Sequence, residues 1–97
     1  MANMFSNKTA NGDSTEVALL PGEHEFVIEG TFNGCTVTLE TKDDRTGAVY
    51  VADDDKGIRT SPGRFIFTTS NQKTAKGVLT SAGGSTDIVM NHNGKVV

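Results

Sequence analysis

The sequence predicts an all-β domain: a single antiparallel β-sandwich, or partly open barrel, of seven to eight short strands, Ig-like or jelly-roll-like, with an extended N-terminal arm. Three observations carry this expectation. Apolar residues recur with a period of two, and no eleven-residue window holds a sustained i, i+3, i+4, i+7 pattern. Turn-forming clusters interrupt the alternation every few residues. Thirteen threonines and nine valines favour strands, whereas alanine and leucine are sparse for a helical chain of 97 residues.

Taken in order, residues 1–13 form a polar, Asn-rich arm whose strong apolar anchors are Met4 and Phe5, and residues 14–97 form the sandwich. Val17 and Leu19 begin the alternation, and Pro21-Gly22 ends that run. Phe26, Ile28 and Phe32 alternate next, then Cys35, Val37 and Leu39, with Asn33-Gly34 between the two runs. Asn-Gly flanked by alternating apolar residues signals a two-residue type I′ hairpin. That register sets Ile28 opposite Leu39 and Phe26 opposite Thr41 on an apolar face, and Glu25 opposite Lys42 on the polar one. After the Asp43–Gly47 turn the beat returns at Val49 and Val51. Ser61-Pro62-Gly63-Arg64 suits a type II turn, with proline presetting φ and glycine accepting the positive one. It feeds the strand Arg64–Thr69, which carries Phe65 and Phe67. Val78-Leu79-Thr80 and Thr86-Asp87-Ile88-Val89 complete the set as a last hairpin across the Gly83-Gly84 tip.

Composition narrows the function classes. Nine Lys and Arg against twelve Asp and Glu leave a net charge of −3, a poor basis for gripping phosphate backbones, so no nucleic-acid partner is expected. The longest apolar run is Ala48–Ala52, far short of the ~20 residues a membrane helix needs, so no membrane partner is expected either. The first eight residues lack a basic start and an apolar stretch, and no secretory signal is predicted. A single cysteine, Cys35, fits folding in a reducing cytoplasm.

Candidate chemistry is thin. His24 and His92 lie 68 positions apart with no ligand-type residue at i+2 or i+4; a metal site joining them to Cys35 is geometrically conceivable, but no metal is expected. Cys35 falls on the apolar face, where a thiol behaves as a small hydrophobe. Asp53-Asp54-Asp55-Lys56-Gly57 lacks the closing carboxylate of an EF-hand loop and reads as a solvated turn, as does Asp43-Asp44. Gly83-Gly84 lacks the lysine and helix of a phosphate cradle. One tyrosine, Tyr50, and five phenylalanines offer few platforms for sugars or bases. Lys73, Lys76, Arg59 and Arg64 make at most a modest basic patch. The chain is therefore expected to be no enzyme, with no catalytic residue and no cofactor.

Pro21-Gly22 before a strand from Glu23 to Gly30, then Thr31-Phe32-Asn33-Gly34 and Cys35-Thr36-Val37-Thr38-Leu39-Glu40, then Gly63-Arg64-Phe65-Ile66-Phe67, together resemble the small β-sandwich virion proteins of tailed bacteriophages, capsid decoration (cement) proteins among them. The resemblance spans roughly residues 15–91. It implies a non-enzymatic structural protein on the capsid exterior, made in the host cytoplasm. Such a protein bridges major capsid protein subunits and often acts as a homotrimer, with many weak contacts gaining avidity from the lattice. Met4 and Phe5 of the arm are then the candidate partner-binding residues. The alternative is a receptor- or glycan-binding module of a tail or fibre, which calls for an exposed cluster around Tyr50.

Overall fold

The computed structural model describes residues 2–52 and 57–96. Ten strands, all pairing antiparallel, make two sheets: β1 (Ala2–Lys8), β2 (Gly12–Asp13), β3 (Val17–Leu19), β4 (Gly22–Thr31), β5 (Thr36–Asp43), β6 (Val49–Val51), β7 (Ile58–Arg59), β8 (Gly63–Thr69), β9 (Lys73–Thr80) and β10 (Asp87–Val96). Sheet A runs β1-β10-β4-β8. In sheet B, β9 and β5 are central, β2 and β3 share the outer side of β9, and β6 and β7 share the outer side of β5. The antiparallel β-sandwich read from the alternation is the fold observed. Its strands outnumber the seven to eight expected because two-residue pairings such as β2 and β7 leave too little sequence for a periodicity to register.

The chain changes sheet at six of the nine connections between these strands: β1 lies in A, β2 and β3 in B, β4 in A, β5 to β7 in B, β8 in A, β9 in B and β10 in A. Two expected hairpins are corrected by this. Asn33 and Gly34 do take the paired positive φ values of a type I′ turn, 48° and 84°, and the Cys35 N–H donates to the Phe32 carbonyl at 3.0 Å. Yet β4 pairs with β10 and β8, and β5 pairs with β9, β6 and β7. The expected face is preserved: Phe26, Ile28, Val37, Leu39 and Thr41 are all buried. They meet across the core from opposite sheets rather than side by side on one. Alternation reports which side chains point inward and is silent on which strand lies alongside. The local cause of the crossover is Gly30, whose φ of +109° bends the end of β4 just before the turn.

The last hairpin fails in the same way, since β9 lies in sheet B and β10 in sheet A. The Gly83-Gly84 segment instead packs on the Asn33 turn. Thr86, 2% exposed, donates from Oγ1 to the Phe32 carbonyl at 2.9 Å and accepts from the Gly83 N–H at 2.8 Å. The type II turn at Ser61–Arg64 is also corrected, because Gly63 has no positive φ; it is the first residue of β8, opposite Ile28. The Asp43–Gly47 turn does form an in-sheet hairpin, with the Asp43 N–H on the Ala48 carbonyl at 2.9 Å and Gly47 at φ 76°.

Sheet A supplies Met4, Phe5, Phe26, Ile28, Phe65, Phe67, Ile88 and Met90 to the core, and sheet B supplies Leu19, Val37, Leu39, Ala75 and Leu79. Gly77, in the middle of β9, is what lets the layers close. A Cβ there would sit 2.9 Å from both the Met90 Sδ and the Phe5 ring, below any normal contact. β1 pairs with β10 along sheet A, and Met4 and Phe5, 3% and 2% exposed, lie in the core.

Candidate functional site

The alternation that builds β4 and β10 also turns both histidines inward. His24 is in phase with Phe26 and Ile28, and His92 is in phase with Ile88 and Met90. Their parity was the sequence signal that they would be buried; that they would meet follows only from β4 and β10 being neighbours in sheet A. His24 Nδ1 lies 3.0 Å from His92 Nε2, and His24 Nε2 lies 2.6 Å from the Leu20 carbonyl. The rings are tilted at a centroid distance of 5.1 Å, and Phe26 flanks His92 at 5.0 Å. Burial, and then the neighbouring His24, hold the His92 pKa below the usual imidazole range.

Cys35 is not brought to them. It follows the far end of β4, 1% exposed, and burial pushes its thiol pKa up, which disfavours the thiolate that nucleophilic or metal chemistry requires. Native protein is therefore expected to resist iodoacetamide and to gain one adduct by mass only after denaturation. Labelling of the native state as fast as that of the unfolded chain would show the core open at Cys35. Among the described residues, no group of three or more His, Cys, Asp or Glu converges on a point.

The outer face of sheet B carries a shallow groove of about 240 Å³ lined by Glu16, Glu40, Lys42, Val49, Thr74 and Lys76. Two carboxylates and two ammonium groups leave it without net charge. Lys76 is held 3.0 Å from Asp13, an ion pair that raises its pKa. The volume falls below the ~300 Å³ at which ligand pockets usually begin. At its rim is the edge of β6 that is unpaired among the described residues, where Val49 is 53% and Tyr50 67% exposed, and Ile58 of β7 is 44% exposed close by. Val49 stands opposite Lys42 and Val51 opposite Glu40, so both share the outward face; Tyr50, opposite Thr41, projects to the other side of the edge.

The four cations grouped in the sequence reading are dispersed and engaged. Lys73 lies 3.9 Å from Asp43, Lys76 bonds Asp13, Arg64 lies 3.0 Å from Glu25 on sheet A, and Arg59 covers the Phe65 ring at 5.2 Å. Asp43 belongs to its turn: the backbone N–H of Arg45 and then the Arg45 side chain hold its carboxyl at a pKa of about 2. Asp44 accepts from Thr74 at 2.8 Å. Asp53, Asp54, Asp55 and Lys56 lie outside the described residues. Met4 and Phe5, the partner-binding candidates, are enclosed by the sandwich and present no surface in this fold.

No family model, no curated protein and no solved structure matches the chain.

Proposed function

We propose that the chain is a non-enzymatic structural virion protein of a tailed bacteriophage, which binds the capsid exterior and bridges major capsid protein subunits, as a homotrimer or through lattice contacts. The observation that carries this reading is the β6–β7 edge. Val49, Tyr50 and Ile58 expose apolar surface beside a strand that, among the described residues, pairs only with β5, and among those residues the remaining large apolar side chains, Leu20 apart, are buried or half-buried. Such an edge can take up a strand or loop of a neighbouring subunit, the main chain supplying affinity and Val49 and Val51 the apolar contact. Repetition over a shell multiplies a weak contact. The reading also rests on the resemblance spanning residues 15–91, and it moves the docking surface from Met4 and Phe5 to β6 and β7.

The test is addition of the protein to capsids of its phage. Bound copies on the order of hundreds per shell, and a higher temperature of capsid rupture, are expected; Val49→Asp is expected to abolish both while leaving the denaturation midpoint in place. Capsids that neither bind nor are protected would overturn the reading. Tyr50, exposed at the same edge, favours one second reading, a receptor- or glycan-binding module. Binding to host-surface polysaccharide that is lost in Tyr50→Ala, with capsids unprotected, would put that reading in place of the first.

A further inference from the structure

Both histidines of the chain are buried, at 2% and 8% exposure, and they bond to each other. The Leu20 carbonyl fixes where their protons sit. It can only accept, so His24 carries its hydrogen on Nε2 and leaves Nδ1 as a lone pair. His92 must then carry its hydrogen on Nε2 and donate it to His24 Nδ1. One chain of two hydrogen bonds thus ties the Leu20-Pro21 corner, between β3 and β4, through β4 to β10. His92 is also the register partner of Ala2 in β1, so the chain ends where β1 begins.

We propose that the His24–His92 pair is an acid-operated latch. It holds the Leu20 corner and the adjoining end of sheet A closed while both rings are neutral, and lets that end open when the pair takes up protons. Among the described residues His92 Nδ1 has no hydrogen-bond partner and is the site for a first proton, which places an imidazolium between Phe26 and His24.

The charges around the pair do not compensate. On β4, Glu23 and Glu25 alternate to the outer face, where Glu25 is taken by Arg64 and by Asn93. On β8 the residue opposite His24 is Phe67. On β10 the position in register with His24 is Lys95. In sheet B, Lys73, the register partner of Leu19, pairs with Asp43. Among the described residues no carboxylate hydrogen-bonds either ring, so protonation gains no ion-pair partner there.

The sign follows from the lowered His92 pKa. Between that value and the ordinary imidazole pKa of 6.5, an opened end binds a proton that the closed end does not. Opening is therefore favoured about tenfold per pH unit across that window, and is flat above it. Amide hydrogen exchange of the native protein at pH 7.5 and 5.0, corrected for intrinsic rates, tests this. Protection is expected to fall at Leu19–Phe26 and at Asn91 and His92, while Val37–Leu39 holds. His92→Gln keeps an N–H toward His24 Nδ1 without titrating at position 92, and is expected to remove most of that pH dependence. Ring ¹⁵N shifts of the native protein at neutral pH, which need no variant, are expected to show hydrogen on Nε2 of both rings. Unchanged protection at the corner, equal acceleration across the whole domain, or an Nδ1–H tautomer on either ring would overturn the latch.

Discussion

Replacing Gly30 with alanine is expected to destabilise the domain by at least about 3 kcal/mol, a large part of the ~5–15 kcal/mol that holds a domain of this size together. Two penalties coincide there. Gly30 has φ +109°, a region that residues with a Cβ rarely enter, at a cost of order 1–3 kcal/mol. An added Cβ would also stand 2.0 Å from the Asp87 carbonyl oxygen, which is backbone and cannot swing aside as a side-chain tip can. Gly30 faces Ile88 in the central β4–β10 pairing, so relief requires that ladder to part where β4 bends toward the other sheet. Gly63 is the matched control. It also faces a β4 residue, Ile28, but has no positive φ and no atom within 4 Å of its would-be Cβ. Gly63→Ala is expected to lie within about 0.5 kcal/mol of the parent, or slightly above it through a less flexible unfolded chain. Urea midpoints of the two variants decide the matter: equal losses would mean that the bend at Gly30 does not carry the crossover.

That bend also marks where the sequence stops being legible. Phe26, Ile28, Val37, Leu39, Phe65, Phe67, Ile88 and Met90 are all buried, as their alternation requires. A period of two is a local property, and each of these side chains displays it independently of its neighbours. Strand partnership is not local. The Asn33-Gly34 turn has the backbone that a hairpin would use, yet the chain leaves it for the opposite sheet, because Gly30 has already turned it and because Thr86 and Gly83 fasten the turn from outside. The histidines follow the same rule. Phase places each ring inward, and only the adjacency of β4 and β10 brings them within 3.0 Å. The β6–β7 edge was half visible: Val49 and Val51 alternate in the sequence, but that they line an edge unpaired among the described residues depends on β5 having its other side occupied by β9.

The double variant Met4→Ala, Phe5→Ala is expected to lose at least about 5 kcal/mol and to leave little folded protein at 25 °C, since buried Met→Ala and Phe→Ala changes cost about 2–5 and 3–5 kcal/mol. These two residues escaped the alternation reading for a physical reason. Asn3 pairs with Asn91 and Phe5 with Met90, so one extra residue is inserted on β1 between them. Such a bulge lets two consecutive side chains point to one side. Met4 and Phe5 therefore both enter the core, and a strand that breaks the period of two reads in the sequence as a polar arm with two anchors. Gly77 shows that the sandwich is shaped around them, because the Phe5 ring occupies the space a side chain on β9 would need. Gly77→Ala should accordingly repeat part of the loss from the opposite sheet. Its effect should shrink in a Phe5→Ala background, as contacting residues couple. The opposite result is equally concrete: a protein lacking residues 1–8 that keeps its urea midpoint but no longer binds capsids would return Met4 and Phe5 to the role of a docking arm. Loss of folding in the truncated chain would leave β1 as the strand that closes sheet A.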